Sequence, residues 1–375
     1  MKTLTGLLAF MGMAILSHAQ TSVPGSFVHG GITRTYNIYV PASYNASQPV
    51  PLVLNLHGYT SNAAQQEIYA DFRPIADTAR FILVHPNGSV QPGTAGTQFW
   101  NIGLTGSSVD DVSFLEALID TVSAHYNINP SRVYSAGMSN GGFMGYMLAC
   151  QSDRFAAVAS VTGSMTTPLY ACNPVRPVPV IEIHGTADGT VPYGGTTGMA
   201  PVADVVSFWV TKNNCSPTPV TTNVPDINTT DGATAEHYLY TGGTGGHTVE
   251  HFKVIGGGHT WPGAPFVIGV TCMDFSASRE IWRFFSQYQY LGAGIAGYTQ
   301  ITWNIWPNPA TEKVFVEVPG RQVTGLRILD MQGRTVQQTA GTDITSADVH
   351  TLHAGQYLVE IRGAGFVLHK KLSIP

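Results

Sequence analysis

The sequence predicts an α/β chain, a mostly parallel sheet with helices on both faces, followed by a small all-β sandwich. Three observations predict it. Between about Thr33 and Gln289, apolar runs of β type alternate with segments of helical periodicity, the pattern of strands covered by crossover helices. One of those runs ends in Gly137-Met138-Ser139-Asn140-Gly141, a serine between glycines at a strand-to-helix turn. Past a small-residue stretch at residues 291–303 the helical periodicity stops and short alternating runs take over.

In chain order, Lys2, an apolar run from Leu4 to Leu16 and the small-x-small site Ser17-His18-Ala19 read as a signal peptide over residues 1–19, so the mature chain is expected to begin at Gln20. Strands are expected in residues 35–41, 50–58, 80–88, 132–137, 156–163, 178–185 and 248–257, each apolar and β-branched. The clearest helix runs from Asp111 to about His125, with Val112, Leu115, Ile119 and Val122 at helical spacing. The pair Asp110-Asp111 stands where a carboxylate accepts the free N–H groups of a first turn. Residues 20–290 thus form one α/β domain, 291–303 a linker, and 304–375 the sandwich, in which "GQYLVEIRG" and "FVLHKKLSIP" alternate apolar and polar side chains.

Composition excludes some functions. Charged residues make up 11% of the 375 residues and the net charge is -5, which leaves no basic surface for nucleic acid. After the leader no run approaches the eighteen apolar residues of a membrane span. Export favours disulfides, and Cys150, Cys172, Cys215 and Cys272 allow three pairings. The pairing that closes two local loops, Cys150–Cys172 with Cys215–Cys272, is the expected one.

A G-x-S-x-G in a chain with 41 glycines needs corroboration. A serine hydroxyl becomes a nucleophile only beside a base, and the base needs a carboxylate to fix its tautomer. On an α/β-hydrolase sheet the acid and then the histidine follow the serine, on loops at later strand ends. Asp188 stands two strands after Ser139, and His259 follows the last strand on a glycine-rich loop. The oxyanion of the reaction needs backbone N–H donors from the residue after the serine and from an early strand's end. Asn140 and Tyr59, in His57-Gly58-Tyr59, fill those places, with His57 ordering the loop rather than acting as base. A rival pattern, H-x-x-E-H at His247 to His251, needs a helix to bring both histidines to one zinc. The segment alternates as a strand, which sets residues four apart about 13 Å from each other, so no metal site is expected.

These residues resemble the extracellular polyhydroxybutyrate depolymerase and feruloyl esterase family of the α/β-hydrolase fold, over roughly residues 25–290. The carriers are "LHGYTSNA", "HPNG", "FWNIG", "VDDVSFLEALID", "GMSNGGFM", "HGTADGTVPY" and "GGGHTWPG", in that order. The resemblance implies Ser139 as nucleophile, Asp188 as orienting acid and His259 as base. It also implies that Trp100 and Trp261 lie near the site, where they could bind substrate as an aromatic platform. Many members have Cys where this chain has Tyr59. The tail is similar to a type IX secretion sorting domain, carried by "WPNPATEKVFV", "GQYLVEI" and "KKLSIP".

The expected activity is that of a secreted serine carboxylesterase working through an acyl-enzyme, with no metal or organic cofactor. Its substrate would be polymeric, feruloyl or acetyl esters of plant polysaccharide or a hydroxybutyrate polyester, because the segment from Ser164 to Pro177 is too short to build a lid. A serine peptidase on the same fold and a non-catalytic glycan-binding or adhesion protein are the alternatives. The expected protein is a monomer handled by the type IX machinery and released or surface-attached after removal of leader and tail.

Overall fold

The computed structural model describes residues 21–290, 303–330, 334–363 and 366–375, and the chain divides into two compact units, one through Ala293 and one from Gly294. The expected signal peptide and linker lie outside the described residues, except Trp303, which is buried in the second unit's core beside Val314 and Val316.

In the first unit the strands are β1 (Val23–His29), β2 (Ile32–Tyr39), β3 (Val50–Leu56), β4 (Ile82–Pro86), β5 (Ile128–Met138), β6 (Ala157–Val161), β7 (Val180–Gly185), β8 (Val220–Asn223), β9 (Thr234–Tyr240) and β10 (Val249–Ile255). These ten form one sheet in the order β1-β2-β4-β3-β5-β6-β7-β10-β9-β8, and two short strands outside it, Ser89–Val90 and Gln98–Phe99, pair antiparallel as a separate ribbon. Pairing is parallel from β4 through β10 and antiparallel at both edges. The helices are α1 (Ala63–Tyr69), α2 (Arg73–Ala79), α3 (Asp111–His125), α4 (Asn140–Gln151), α5 (Val202–Lys212) and α6 (Ala277–Phe285).

Every residue of β3 is buried, because side chains of alternate sign of direction meet a helical layer on either side. Leu52, Leu54 and Leu56 join Phe114 of α3, Met144 of α4 and Trp209 of α5. Val53 joins Ala76 of α2 and Phe284 of α6 on the opposite face. All the strands expected from sequence are present. Strands β1, β8 and β9 were not anticipated, since side chains that stay partly or wholly exposed carry no apolar alternation.

The start of α3 separates two aspartates that look equivalent in the sequence. Asp110 is the cap and accepts from Ser113 N–H at 2.9 Å. Asp111 is buried, pairs with Arg34 at 2.7 Å and accepts from Asn101 N–H at 2.8 Å, so it holds the loop after Trp100.

Cys150 and Cys172 form the expected disulfide. The second expected bridge does not form, for Cys215 and Cys272 are both free and buried. Cys215 packs with Trp209 on one face of the sheet and Cys272 with Phe252 and Phe284 on the other. The sheet itself stands between them.

The second unit contains a three-stranded antiparallel sheet of β11 (Asn304–Trp306), β12 (Lys313–Glu317) and β15 (Ser346–Asp348), and a four-stranded one of β13 (Gly325–Leu329), β14 (Thr335–Ala340), β16 (Gly355–Gly363) and β17 (Phe366–Ile374). Val314 and Val316 from the first sheet share one core with Leu326, Ile328, Val359 and Ile361 from the second, which is the sandwich read from the alternation. Among the described residues, no helix is long and apolar enough to cross a membrane.

Candidate active site

Ser139 sits between the last residue of β5 and the first of α4, at φ 53° and ψ -121°. That is a strained backbone for a residue with a side chain. Its N–H donates to Val161 O at 2.8 Å, which anchors the turn to the neighbouring strand. The flanking glycines are steric necessities. A Cβ on Gly137 would lie 2.4 Å from the Gly141 carbonyl, and one on Gly141 would lie 2.3 Å from Leu56 O and 2.7 Å from His57 O.

Across the sheet, β7 and the loop after it carry a line of buried ionisable groups. Asp188 Oδ1 accepts from the N–H groups of Thr190 and Val191, each at 2.8 Å, while Oδ2 lies 2.7 Å from His259 Nδ1 and 3.3 Å from His184 Nε2. His184 Nδ1 is 2.8 Å from Glu182 Oε1, and Tyr146 O–H donates to Glu182 Oε2 at 2.5 Å. His184 Nε2 also meets Val191 O at 2.9 Å. Both ring nitrogens of His184 face oxygens, the arrangement an imidazolium satisfies, while burial also pushes the Glu182 carboxyl up, so the pair shares a proton held between them. Burial alone would lower the His184 pKa, but the bonds to Asp188 and Glu182 and the Glu182 charge outweigh it and raise the value to about 9. Burial likewise pushes the Asp188 carboxyl up, yet His184, His259 and the Val191 N–H together hold it well below the usual carboxylate range.

The loop after β3 forms the third side. Gly88 N–H donates to His57 Nε2 at 2.9 Å, so that nitrogen is an acceptor and His57 Nδ1–H donates to Gly58 O at 2.7 Å. Burial holds the His57 pKa down at about 4. A neutral, fully engaged ring orders the loop. Asn140 is buried at the start of α4, its Oδ1 accepting from Trp100 N–H at 2.6 Å and its Nδ2 donating to Trp100 O at 3.1 Å. First-turn N–H groups of a helix have no intrahelical acceptor, so the Asn140 N–H has none within α4. Gly58, Tyr59, Met138, Ser139 and His259 meet around a cavity of about 450 Å³, whose apolar side is Ile68, Tyr69, Phe266 and Ile268.

A profile of the Esterase PHB depolymerase family matches residues 34–172. NocK of Nocardia uniformis subsp. tsuyamanensis, whose name gives it only provisionally as an esterase, is 30% identical over 283 residues, covering 69% of this chain and 80% of its own length. The chain belongs to this esterase family. The bifunctional acetylxylan esterase/xylanase XynS20E of Neocallimastix patriciarum is 28% identical to the esterase over 262 residues, 69% of this chain and 34% of the relative. Among solved structures, the acetyl xylan esterase from Aspergillus awamori covers 68% of the esterase and 94% of its own chain at a TM-score of 0.49 and 14% identity. The esterase is a carboxylic ester hydrolase. Its residues 304–375 match the secretion system C-terminal sorting domain, which marks the protein for type IX export to the cell surface or beyond.

Two sequence expectations need correction in the esterase. Trp100 and Trp261 are fully buried and line no part of the cavity. Trp100 donates through Nε1 to His57 O at 2.9 Å, and Trp261 donates its backbone N–H to Tyr69 O–H at 3.2 Å and its Nε1 to Ser278 Oγ at 3.1 Å. Both tryptophans support walls rather than form them. The aromatic surface comes instead from Tyr59, Tyr69 and Phe266, the last two stacked at 6.0 Å. Sequence carried one signal for Phe266, an apolar "PFVIGV" in a loop between the last strand and α6.

The H-x-x-E-H residues are dispersed as the strand reading expects. His251 in β10 contacts Tyr193 O–H and Glu182 O, whereas Glu250 binds His237 and Arg283. Asp231, Cys272 and Asp274 bring their side-chain ligand atoms within 4.8 Å of one another, but Asp274 Oδ1 accepts from the N–H groups of Ile227 and Asn228, and Asp231 Oδ2 from Met273 N–H. Those bonds explain the cluster as a loop clasp.

Proposed function

We propose that the esterase is a secreted serine carboxylesterase in which Ser139 is the nucleophile, His259 the general base and Asp188 the orienting acid. The observation that carries this reading is that Ser139 and His259 line one cavity while Asp188 takes His259 Nδ1 at 2.7 Å. Engaging Nδ1 leaves Nε2 to remove the serine proton. Ser139 Oγ attacks the ester carbonyl, and the tetrahedral oxyanion is held by the backbone N–H groups of Tyr59 and Asn140. The leaving alcohol departs with the proton from His259. Water activated by the same histidine then hydrolyses the acyl-enzyme.

The apolar wall of Ile68, Tyr69, Met138, Phe266 and Ile268 suits an aromatic or short aliphatic acyl group. Ile68, Phe266 and Ile268 are also exposed at its rim, which supports a bulky or polymeric ester reaching the serine without a lid. Export as a monomer after removal of residues 1–19, with the sorting unit cleaved at the outer membrane, completes the reading.

Purified protein and its Ser139→Ala variant, assayed on methyl ferulate, acetylated xylan and polyhydroxybutyrate film, test it. Loss of about 10⁵- to 10⁶-fold in kcat is expected on whichever ester is cleaved. Retention of more than a tenth of the activity would overturn the mechanism.

A further inference from the structure

The two N–H groups assigned to the oxyanion belong to different elements, Tyr59 to the loop after β3 and Asn140 to the first turn of α4. Pairing of β3 with β5 ends at Leu56 opposite Gly137, so the sheet stops short of both. Beyond it, residues 98–101 at the end of the two-stranded ribbon grip the two together. Gln98 O accepts from Thr60 N–H at 3.0 Å and Trp100 Nε1 donates to His57 O at 2.9 Å, so Gly58 and Tyr59 are held from either side. On the other flank the Asn140 side-chain amide bonds both the N–H and the C=O of Trp100, at 2.6 Å and 3.1 Å.

Trp100 is itself firmly held. Its ring is fully buried, tilted against His57 at 5.2 Å between centroids and stacked on Phe114 of α3 at 6.5 Å. The next residue is tied down as well: Asn101 N–H donates to Asp111, which pairs with Arg34, and the Asn101 side-chain amide donates to Ser107 O and Val109 O. A buried indole N–H usually finds an acceptor, and here the acceptor is the carbonyl two residues before an assigned donor. Such a bond is not obligatory in this core, since Trp209 in the same cluster keeps its Nε1 buried with no partner.

We infer that Trp100 is a positioning residue: by bonding His57 through its ring and Asn140 through its backbone, it sets the spacing of the two oxyanion donors. The inference rests on the esterase reading above and concerns the same site. Trp100 does not touch the ester. Its effect falls on the transition state, because the two donors must sit about 3 Å from an oxygen whose charge develops only there. Drift of the His57-Gly58-Tyr59 turn leaves the apolar wall of Ile68, Tyr69, Phe266 and Ile268 in place, and with it the binding of the acyl group.

Trp100→Phe keeps a ring against His57 and Phe114 while removing the N–H. It is expected to lower kcat about tenfold on the ester the wild type cleaves best, with KM within twofold. A folded variant that loses less than twofold in kcat overturns the inference. Phenylboronic acid separates positioning from support of the fold. Its boron takes the Ser139 Oγ lone pair as the proton passes to His259, and a hydroxyl on the tetrahedral boron takes the oxyanion's place. Binding should weaken about tenfold in Trp100→Phe; a lower melting temperature with unchanged binding overturns the inference. Asn140→Ala keeps its backbone N–H, should show the same split between kcat and KM, and reads the same strut if Trp100→Phe does not fold. The double variant should lose less than the product of the two single losses, and independent losses overturn a shared strut. Trp209→Phe controls for removal of an indole from this core: kcat within twofold supports the inference, and a loss equal to that of Trp100→Phe overturns it. Failure of the wild type to hydrolyse any ester would instead overturn the esterase reading. The boronic acid titration then decides the role of Trp100 by itself, and absence of binding to the wild type overturns both.

Discussion

The elbow turn that carries Ser139 and the buried arm that ends in His259 meet at one cavity, yet they are held by different forces. The elbow is fixed by contact: Gly137 and Gly141 leave no room for a Cβ, and the Ser139 backbone stays in a strained conformation because β6 and the loop after β3 enclose it. The arm is fixed by charge, with Glu182, His184 and Asp188 linked in a buried line that ends at the half-buried His259. Gly189, next to Asp188, has nothing within 4 Å of a built Cβ. Crowding therefore governs one half of the site and electrostatics the other.

Breaking the arm electrostatically gives the largest effect. In Asp188→Asn the amide keeps an acceptor for Thr190 and Val191, but it offers no charge to His184 and can direct an N–H₂ group at His259 Nδ1. Loss of the correct imidazole tautomer is expected to lower kcat about 10⁴-fold on the ester the wild type cleaves best. A loss under tenfold would remove Asp188 from the assignment.

Crowding the elbow comes next. Gly141→Ala must push the Leu56 and His57 carbonyls, and with them the Gly58-Tyr59 turn. A displacement on the order of 1 Å costs about 10²-fold in rate, and the melting temperature should fall as well. Gly189→Ala is the matched substitution in the arm and should change kcat less than twofold. Equal losses in the two variants would erase the contrast.

His184 sets the scale of the third effect. The titratable groups around it are Glu182, Asp188, Tyr193 and His251, with Tyr146 bonded to Glu182. A pKa raised from 6.5 to about 9 means that its stabilisation is fully present below pH ~6.5 and is lost as pH rises through about 9. That difference corresponds to on the order of 3 kcal/mol. Urea unfolding at pH 6.5 and pH 9.5 should show wild type losing that much across the interval and His184→Gln losing far less. The variant should also lose about tenfold in kcat/KM at neutral pH, since Asp188 then depends on His259 and two backbone N–H groups alone. Equal alkaline slopes in both proteins would show that His184 is not a cation.

The same contrast explains what the sequence made legible. The elbow announces itself, because glycines at fixed offsets around a serine are a local steric pattern. Asp188 and His259 were legible through strand order, which places their loops at one edge of the sheet. His184 was not, although Glu182 and His184 stand two apart and so share one strand face. In "VPVIEIHG" they read as the polar half of an alternation until Tyr146 of α4 is seen covering them. Nor could the sequence show that Trp100 and Trp261 lie behind the cavity wall, or that Cys215 and Cys272 lie on opposite faces. Those facts depend on which side of the sheet a loop returns to.

One covalent restraint acts on the elbow's side alone. The disulfide from Cys150, near the end of α4, to Cys172 closes a loop spanning 22 positions that contains β6, the strand on which the Ser139 N–H is anchored. A loop of that size contributes about 3 kcal/mol in the chain-entropy account. Cys150→Ser with Cys172→Ser should lower stability in urea by about that amount while kcat at 25 °C stays within twofold, because the glycines and β3 still enclose Ser139. Cys215→Ala with Cys272→Ala should leave the response to a thiol reductant unchanged. If losing the bridge lowers kcat more than tenfold without unfolding the protein, the elbow is held by its tether rather than by its packing, and the division between a crowded half and a charged half fails.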